Sequence, residues 1–257
     1  MKQINKKFYL GVGILAIVGI AFIILGLLFG ASTSIYVDKE GFHFGKVKND
    51  PYEETYSFKR IEKLELDVAF SEVQVIKSDR NEVQISGNGK TSKPKVKMEH
   101  DTLKISSRVQ TNFFLGIFEQ GNHESNITIY VKEDLKDCEL EISYSDLKLK
   151  KVAIEELTLD TSFSSVDMEG EYQKIKVNNN FGDVKGVVSS VNELKLENDF
   201  GSITLGMTGS FQDYNLRYEN DFGEIKINGK EIKKVKEPYG NKKIKLNNSF
   251  GDISLEF

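Results

Sequence analysis

The residues of this chain that could do chemistry are few, and their spacing does not assemble a catalytic site. Residues 86–91 (SGNGKT) imitate the end of a phosphate-binding loop, but Gln84 stands where such a loop needs its first glycine, and no helical pattern follows. A hairpin turn explains the run better. His43, His100 and His123 have neither a metal-ligand spacing nor a HExxH pairing. We therefore predict no catalytic residue, no metal site and no cofactor.

Acidic residues beside a repeated turn are the remaining candidates. They are Asp199 and Asp221 before the turn and Asp183, Glu224 and Asp252 after it. Calcium binds several oxygens offered by turn residues, so a calcium site is one hypothesis. Known solenoid calcium repeats are richer in glycine and aspartate than this chain. We favour the alternative, a solvated face that keeps strand edges polar.

An apolar segment near the N-terminus predicts that the rest of the chain is attached to a membrane. Residues 8–31 (FYLGVGILAIVGIAFIILGLLFGA) contain no charge and no proline, and 24 helical residues can span a hydrocarbon layer of about 30 Å. A cleaved signal peptide would have a shorter apolar core, so we predict a retained transmembrane anchor. Lys2, Lys6 and Lys7 precede it without an acidic residue, which predicts a cytoplasmic N-terminus and an extracytoplasmic C-terminal domain.

The part beyond the anchor is mildly acidic. It carries 32 basic and 39 acidic residues, a formal charge of −7, because three of the 35 basic residues precede the apolar segment. General binding of nucleic acid needs clustered positive charge, so the composition argues against it. The single cysteine, Cys138, excludes an intramolecular disulfide, and an exported domain of this size must therefore be held together by its apolar core.

An internal repeat is the strongest feature of the sequence. Four copies share the pattern Asn-x-Phe-Gly (NNNFGDV, ENDFGSI, ENDFGEI and NNSFGDI), and three are degenerate (DVAFSEV, EISYSDL and DTSFSSV). From the second degenerate copy onward the aromatic residues are 19, 18, 19, 22 and 28 residues apart, which is about one coil of a β-solenoid. These aromatic residues are Tyr144, Phe163, Phe181, Phe200, Phe222 and Phe250.

Alternation of apolar and polar residues before each aromatic residue predicts strands with one buried face. It places the repeat asparagines, and the phenylalanines two residues later, on the inward face. Stacked asparagines at a spacing of about 4.8 Å can bond one another in a ladder, which Thr161 could extend. Glycine after the aromatic residue supplies the positive φ that a corner needs. The structural repeat positions are Asn179, Asn198, Asn220 and Asn248, the phenylalanines named above, and Gly182, Gly201, Gly223 and Gly251.

Two further segments are candidate contact sites. An apolar run without alternation is either a loop that touches the membrane or a partner, or a cap over one end of the solenoid, the reading we favour. Its candidate residues are Phe113, Phe114, Leu115, Ile117 and Phe118. A lysine cluster near the C-terminus either binds anionic polymers or is a solvated face, the commoner case. Its candidate residues are Lys233, Lys234, Lys236, Lys242 and Lys243.

From about Ile61 to Phe257 the repeat resembles a bacterial family of β-strand-repeat proteins of unknown function known as "putative adhesins". With an anchor helix, the chain is similar to the membrane-anchored accessory protein of LiaRS-type cell-envelope stress systems of Gram-positive bacteria. The resemblance implies a β-solenoid, an envelope location, no catalytic residues and, for some members, a response to membrane-active antimicrobial peptides. In the early repeats Ser71, Ser145 and Ser164 replace glycine.

We thus predict an all-β chain, a β-solenoid with repeats of roughly 18–28 residues preceded by one transmembrane helix. The expected divisions are a cytoplasmic N-terminus (1–7), an anchor (8–31), a juxtamembrane stalk (32–58) and a β-repeat domain (59–257). The favoured function is an interaction or sensing module for an envelope protein, a cell-wall polymer or an antimicrobial peptide. The alternatives are a polysaccharide-active β-helix enzyme, and a scaffold or homo-oligomer that pairs through the C-terminal strand, residues 253–257.

Overall fold

The structure is a computed structural model of the 257-residue chain. It describes residues 19, 35–38, 41–44, 51–88, 93–107, 125–232 and 240–257. The predicted anchor (except Gly19), the apolar run 113–118 and the lysines at 233, 234 and 236 lie outside these residues. Within them, no helix has the length and apolar character needed to cross a membrane.

Eighteen strands make up most of the described chain, together with one short 3-10 helix, Phe211–Asp213. The strands β1 and β2 form an antiparallel hairpin in a separate compact unit, and the others belong to one large sheet system. The strands are β1 (Ile35–Asp38), β2 (Gly41–Phe44), β3 (Pro51–Ser57), β4 (Lys63–Ala69), β5 (Ser71–Lys77), β6 (Glu82–Asn88), β7 (Lys95–Glu99), β8 (Thr102–Ser106), β9 (Ser125–Val131), β10 (Leu135–Ser143), β11 (Asp146–Ser162), β12 (Ser164–Ser189), β13 (Glu193–Met207), β14 (Tyr214–Asn220), β15 (Glu224–Ile227), β16 (Lys230–Glu231), β17 (Lys242–Asn248) and β18 (Asp252–Glu256).

Each sequence repeat forms one coil with two strands joined at a corner. The strand before the corner pairs in parallel with its equivalents, in the order β4, β10, β11, β12, β13, β17 and β14, and we call this face the entry face. The strand after the corner pairs with its own equivalents on a second face, the exit face. β11, β12 and β13 are long because they run through corners and contribute to both faces. The predicted all-β, solenoid-like fold is confirmed.

The C-terminal coil does not lie at the end of the stack. β17 pairs with β13 on one side and β14 on the other, and β18 lies likewise between β13 and β15. The last coil of the sequence is therefore inserted before the coil that contains Phe222. The alternative in which the chain pairs through residues 253–257 is wrong, because both edges of β18 are used inside the sheet.

The chain leaves the solenoid between the first and second coils and covers its N-terminal end. β9 pairs in parallel with β5, and β6 and then β3 extend that sheet with antiparallel pairs. On the entry face β8 pairs with β4 and β7 with β8. Pro51–Ser57, assigned from sequence to the stalk, is therefore a strand of the β domain. The coils with serine in place of glycine are complete.

The core lies between the two faces and consists of the alternate residues of every coil. In the first coil Leu64, Leu66 and Val68 come from the entry face, Val73 and Val75 come from the exit face, and each is at most 2% exposed. The same pattern repeats in each later coil. Stacking the coils thus buries one continuous apolar column, as in other repeat proteins.

The thiol of Cys138 lies inside this core and is fully buried in β10. Burial raises the pKa of this thiol far above its usual value, which disfavours the thiolate needed for attack. We predict that 5,5′-dithiobis(2-nitrobenzoate) labels Cys138 only as fast as the domain unfolds, with full labelling in concentrated urea. Rapid labelling in native buffer, followed by absorbance at neutral pH, would contradict this burial.

Candidate functional site: an exposed aromatic ridge

A ladder of buried amides lines the corner of each late coil, as the sequence predicts. Asn179 Nδ2 donates to Asn198 Oδ1 at 2.7 Å, and Asn198 Nδ2 donates to Asn248 Oδ1 at 3.0 Å. Thr161 Oγ1 extends the ladder by donating to Asn179 Oδ1 at 2.8 Å, and Asn248 Nδ2 reaches the exposed Asn220 at 2.7 Å. The three central asparagines are at most 3% exposed. The ladder satisfies amides that would otherwise be costly to bury.

The same amides also close the turn of their own coil. Asn179 Nδ2 donates to the carbonyl of Gly182 at 2.9 Å, and Asn198 Nδ2 donates to that of Gly201 at 3.2 Å. Gly182 and Gly201 have φ of 142° and 118°, a region that L-residues rarely adopt. The predicted positive φ is confirmed at these two positions and at Gly223 (133°), and it is wrong at Gly251, whose φ lies outside that region.

The early coils reach the same shape with a different side chain. At Ser145 and Ser164 the hydroxyl lies in the corner and donates to the carbonyl two residues earlier, at 2.8 and 3.0 Å. Here the aromatic residue itself takes the positive φ, 50° at Tyr144 and 54° at Phe163. A polar side chain therefore fills the inside of the corner in both kinds of coil.

The prediction that the repeat phenylalanines lie on the inward face is wrong. They do stack, but on the outer surface of the corner, because the asparagine amide or serine hydroxyl already occupies its inner side. Their exposed fractions are 53% for Tyr144, 52% for Phe163, 38% for Phe181, 40% for Phe200, 55% for Phe250 and 65% for Phe222.

These rings, with Phe70 at the other end, form a continuous row of seven that we call the aromatic ridge. Neighbouring ring centroids are 4.6–5.2 Å apart and neighbouring planes differ by 1–9°. The ridge spans roughly 29 Å, six strand spacings of about 4.8 Å. Its order follows the inserted coil: Phe70, Tyr144, Phe163, Phe181, Phe200, Phe250, Phe222.

The stacking decides which part of each ring a partner can touch. An inner ring has a neighbour on both faces, so its edge is what meets solvent. Sugars and nucleic-acid bases bind aromatic residues through the ring face, which is covered throughout the middle of the ridge. The ridge instead offers a narrow, straight apolar surface, and exposed apolar surface of this extent typically marks an interaction site.

Carboxylates border the ridge on both sides. Asp199 directly precedes Phe200, and Asp183 and Asp252 follow their phenylalanines by two residues. Asp199 accepts from Ser249 Oγ at 3.1 Å, Asp183 from Ser202 Oγ at 2.6 Å, and Asp252 from the Glu224 amide at 2.9 Å. These donors are two hydroxyls and a backbone amide, none of which is a cation. The ridge is thus an apolar line between two acidic margins.

On the entry-face margin lies a shallow cavity of about 280 Å³. Its lining comes from four successive coils, β10 to β13, and includes the carboxylates Glu141, Asp160, Glu197 and Asp199. Within the described residues, no group of histidine, cysteine and carboxylate side chains is arranged to hold a metal ion. The acidic turn residues considered for calcium lie along the margins of the ridge.

The other candidates from the sequence are scattered. Ser86, Gly87 and Asn88 are the last residues of β6 and pair with β3, so they belong to a strand and not to a phosphate loop. His100 lies in the turn between β7 and β8, and His43 lies in the separate hairpin. Sequence reasoning missed the ridge as a surface, although it had named five of the seven rings, all but Phe70 and Tyr144, as structural repeat positions.

These features define a class of protein: a two-faced, parallel β-solenoid whose repeated corner carries polar ladders inside and aromatic residues outside. The chain belongs to the Toastrack DUF4097 family, whose model matches residues 61–257. The resemblance to a β-strand-repeat family is thereby confirmed, and the link to LiaRS-type systems stays a prediction. A comparison with curated proteins found no significant match.

Several solved structures are similar to this chain over most of their length. A "putative cell adhesion protein" from Clostridium sporogenes is 17% identical, covers 80% of this chain and 99% of its own, and has a TM-score of 0.46. A "putative adhesin" from Bacteroides fragilis is 11% identical with coverages of 82% and 99% and a TM-score of 0.39. A "putative lipid binding protein" from Parabacteroides distasonis is 10% identical with coverages of 82% and 98% and a TM-score of 0.32.

Proposed function

We propose that this protein is a non-catalytic interaction module of the bacterial cell envelope and that the aromatic ridge is its binding surface. The observation that carries the proposal is the row of seven stacked rings, most of them 38–65% exposed, bordered by carboxylates. Solvent exposure of so many phenylalanines opposes solubility, and a partner that covers them removes that cost.

The chemistry of the ridge selects its partner. An apolar line between acidic margins fits a cationic amphipathic peptide, whose apolar side covers the ring edges while its lysines or arginines meet the carboxylates. Two ridges of this protein would bring acidic margins together, which disfavours self-pairing at this surface. An anionic membrane surface would meet the same repulsion.

The cellular setting follows from the sequence. The predicted anchor at residues 8–31 would hold the domain on the outer side of the membrane, where cationic membrane-active peptides arrive. Together with the resemblance to LiaRS-associated proteins, this supports a role in sensing envelope stress. Crosslinking in cells challenged with membrane-active peptides, compared with unchallenged cells, would identify the physiological partner.

Removing rings from the ridge tests the binding surface. The probe is a synthetic amphipathic peptide of lysine and leucine, titrated against the full chain in nanodiscs of zwitterionic lipid. We predict that Phe181→Ser combined with Phe200→Ser weakens binding at least about tenfold, because two central rings supply buried apolar area. Microscale thermophoresis gives the dissociation constants, and circular dichroism checks that the variant is folded.

The matched control is Val187→Ser, which removes an apolar side chain that is 59% exposed on the exit face, away from the ridge. It should bind the peptide as the natural protein does. A second peptide with glutamine in place of lysine should bind more weakly to every folded variant. Equal affinity of the ring variant and the natural protein would show that the ridge is not the binding surface.

A further inference from the structure

A second surface becomes visible only when the coils are aligned in register. On the entry face Lys176 pairs with Lys195, Lys195 with Lys245, and Lys245 with Arg217. The residues on either side of each are buried, or half-buried and packed against the core at Tyr218, so these four side chains point outward. They form a straight row across four adjacent strands, with a spacing of about 4.8 Å, which we call the cationic row.

The surroundings of the cationic row are only partly neutralised. Two positions before the cationic row on these strands lie Lys174 and Lys243, and Glu193 pairs in register with both. Two positions after the row, on the side of the ridge, lie the carboxylates Glu197 and Glu219. These four strands thus carry six cations and three carboxylates in this patch, and Lys174 also pairs with Glu156 of β11 at 3.5 Å.

Glu197 is the carboxylate most closely engaged with the row. Lys195 Nζ lies 2.7 Å from its Oε1, and this contact is the main reason that the pKa of Glu197 is lowered. Lys176 and Lys245 act on Glu197 electrostatically in the same direction. Three lysines therefore share the negative charge of Glu197. Arg217 has no ion pair among the described residues.

Like charges directly opposite one another in a sheet are unfavourable. Elsewhere on this face opposite charges stand in register, as at Lys63 and Asp137 with 3.2 Å between their charged atoms. In the N-terminal half of the same row, Glu65 and Glu139 occupy the equivalent positions. Four adjacent coils therefore carry cations in register, an arrangement that lowers stability, although the fold accepts acidic residues at this position in other coils.

We infer that the cationic row binds a linear phosphate-bearing polymer that lies along the solenoid axis. A single polymer strand can follow one row and place successive phosphates against successive coils. The inference does not depend on the aromatic ridge or on the function proposed for it. Of the candidate lysines from the sequence that the structure describes, Lys243 lies in this patch and Lys242 lies over the ring of Tyr214.

The width of the row excludes broader anionic partners. A bilayer surface or a nucleic-acid duplex would also cover the positions of Glu197 and Glu219 and be repelled there. Single-stranded nucleic acid binds where cations and exposed aromatic faces adjoin. Here acidic residues separate the cations from the rings, and the ring faces are covered.

The test measures binding of fluorescent linear polyphosphate to the full chain in a non-ionic detergent. We expect the logarithm of the association constant to fall linearly with the logarithm of the salt concentration, as it does when proteins bind other polyanions. Lys176→Gln with Lys245→Gln should weaken binding at least about tenfold at low salt and reduce the salt slope by about half, because two of the four cations are removed. Orthophosphate at equal phosphate concentration should not compete.

The control is Lys150→Gln with Lys185→Gln, which removes the same charge from the exit face. This pair should leave both the affinity and the salt slope unchanged. Equal weakening by both pairs, or no binding by the natural protein, would overturn the inference. So would binding to vesicles of anionic lipid that the row substitutions abolish while polyphosphate does not bind.

Discussion

Replacement of Gly201 by alanine is expected to destabilise the solenoid more than any other single substitution considered for this protein. A Cβ at this position would lie 2.0 Å from the carbonyl oxygen of Gly182 and 2.8 Å from its nitrogen, both backbone atoms of the adjacent coil. The residue also has φ of +118°, which strains any L side chain. Clash and strain together should lower the free energy of unfolding by more than about 4 kcal/mol, measured by urea denaturation followed by circular dichroism.

Gly206→Ala is the matched control, since it lies in the same strand and receives the same methyl group. Its nearest neighbour would be Val187 Cγ2 at 3.5 Å, an ordinary contact. We expect a change within about 1 kcal/mol. If both variants were equally stable, the close packing of successive corners would be refuted.

Asn198→Ala should have the next largest effect. Asn198 links Asn179 to Asn248 in the ladder and also bonds the Gly201 carbonyl, and it is 1% exposed. Its removal leaves Asn248 Oδ1 and one hydrogen of Asn179 without a partner where water cannot replace it. The expected loss in free energy of unfolding is about 3 kcal/mol, measured by urea denaturation.

Asn220→Ala provides the comparison at the same repeat position. Asn220 ends the ladder and is exposed, so water can take over the bond from Asn248. Its loss should cost about 1 kcal/mol or less. Similar costs for the two asparagines would mean that burial in the ladder adds nothing to their hydrogen bonds.

Much of the coil could be predicted from the repeat. The apolar alternation before each corner predicts which residues are buried, and in-register stacking of identical asparagines follows from a period of one coil. The glycine after phenylalanine predicts a positive φ because few other residues adopt it. These features are local to one coil, so their residue types are enough to define them.

The repeat pattern did not predict that the aromatic rings face outward. Alternation predicts that Asn198 and Phe200 face the same side, but that rule holds only while the strand stays straight. At the corner the amide of Asn198 bonds the carbonyl of Gly201 and fills the inner space, so the ring faces outward. The candidate binding surface therefore depends on a competition for space that the pattern does not contain.

The sequence by itself determined the β-repeat class, the polar ladder and the residues of the corner, because each depends on spacing within one coil. Only the tertiary structure decided that the C-terminal coil is inserted beside Phe200, that the rings form an outer ridge, and that Lys176, Lys195, Lys245 and Arg217 form one row. The physical reason is that strand order is set by pairing between distant segments, and sequence order does not specify it.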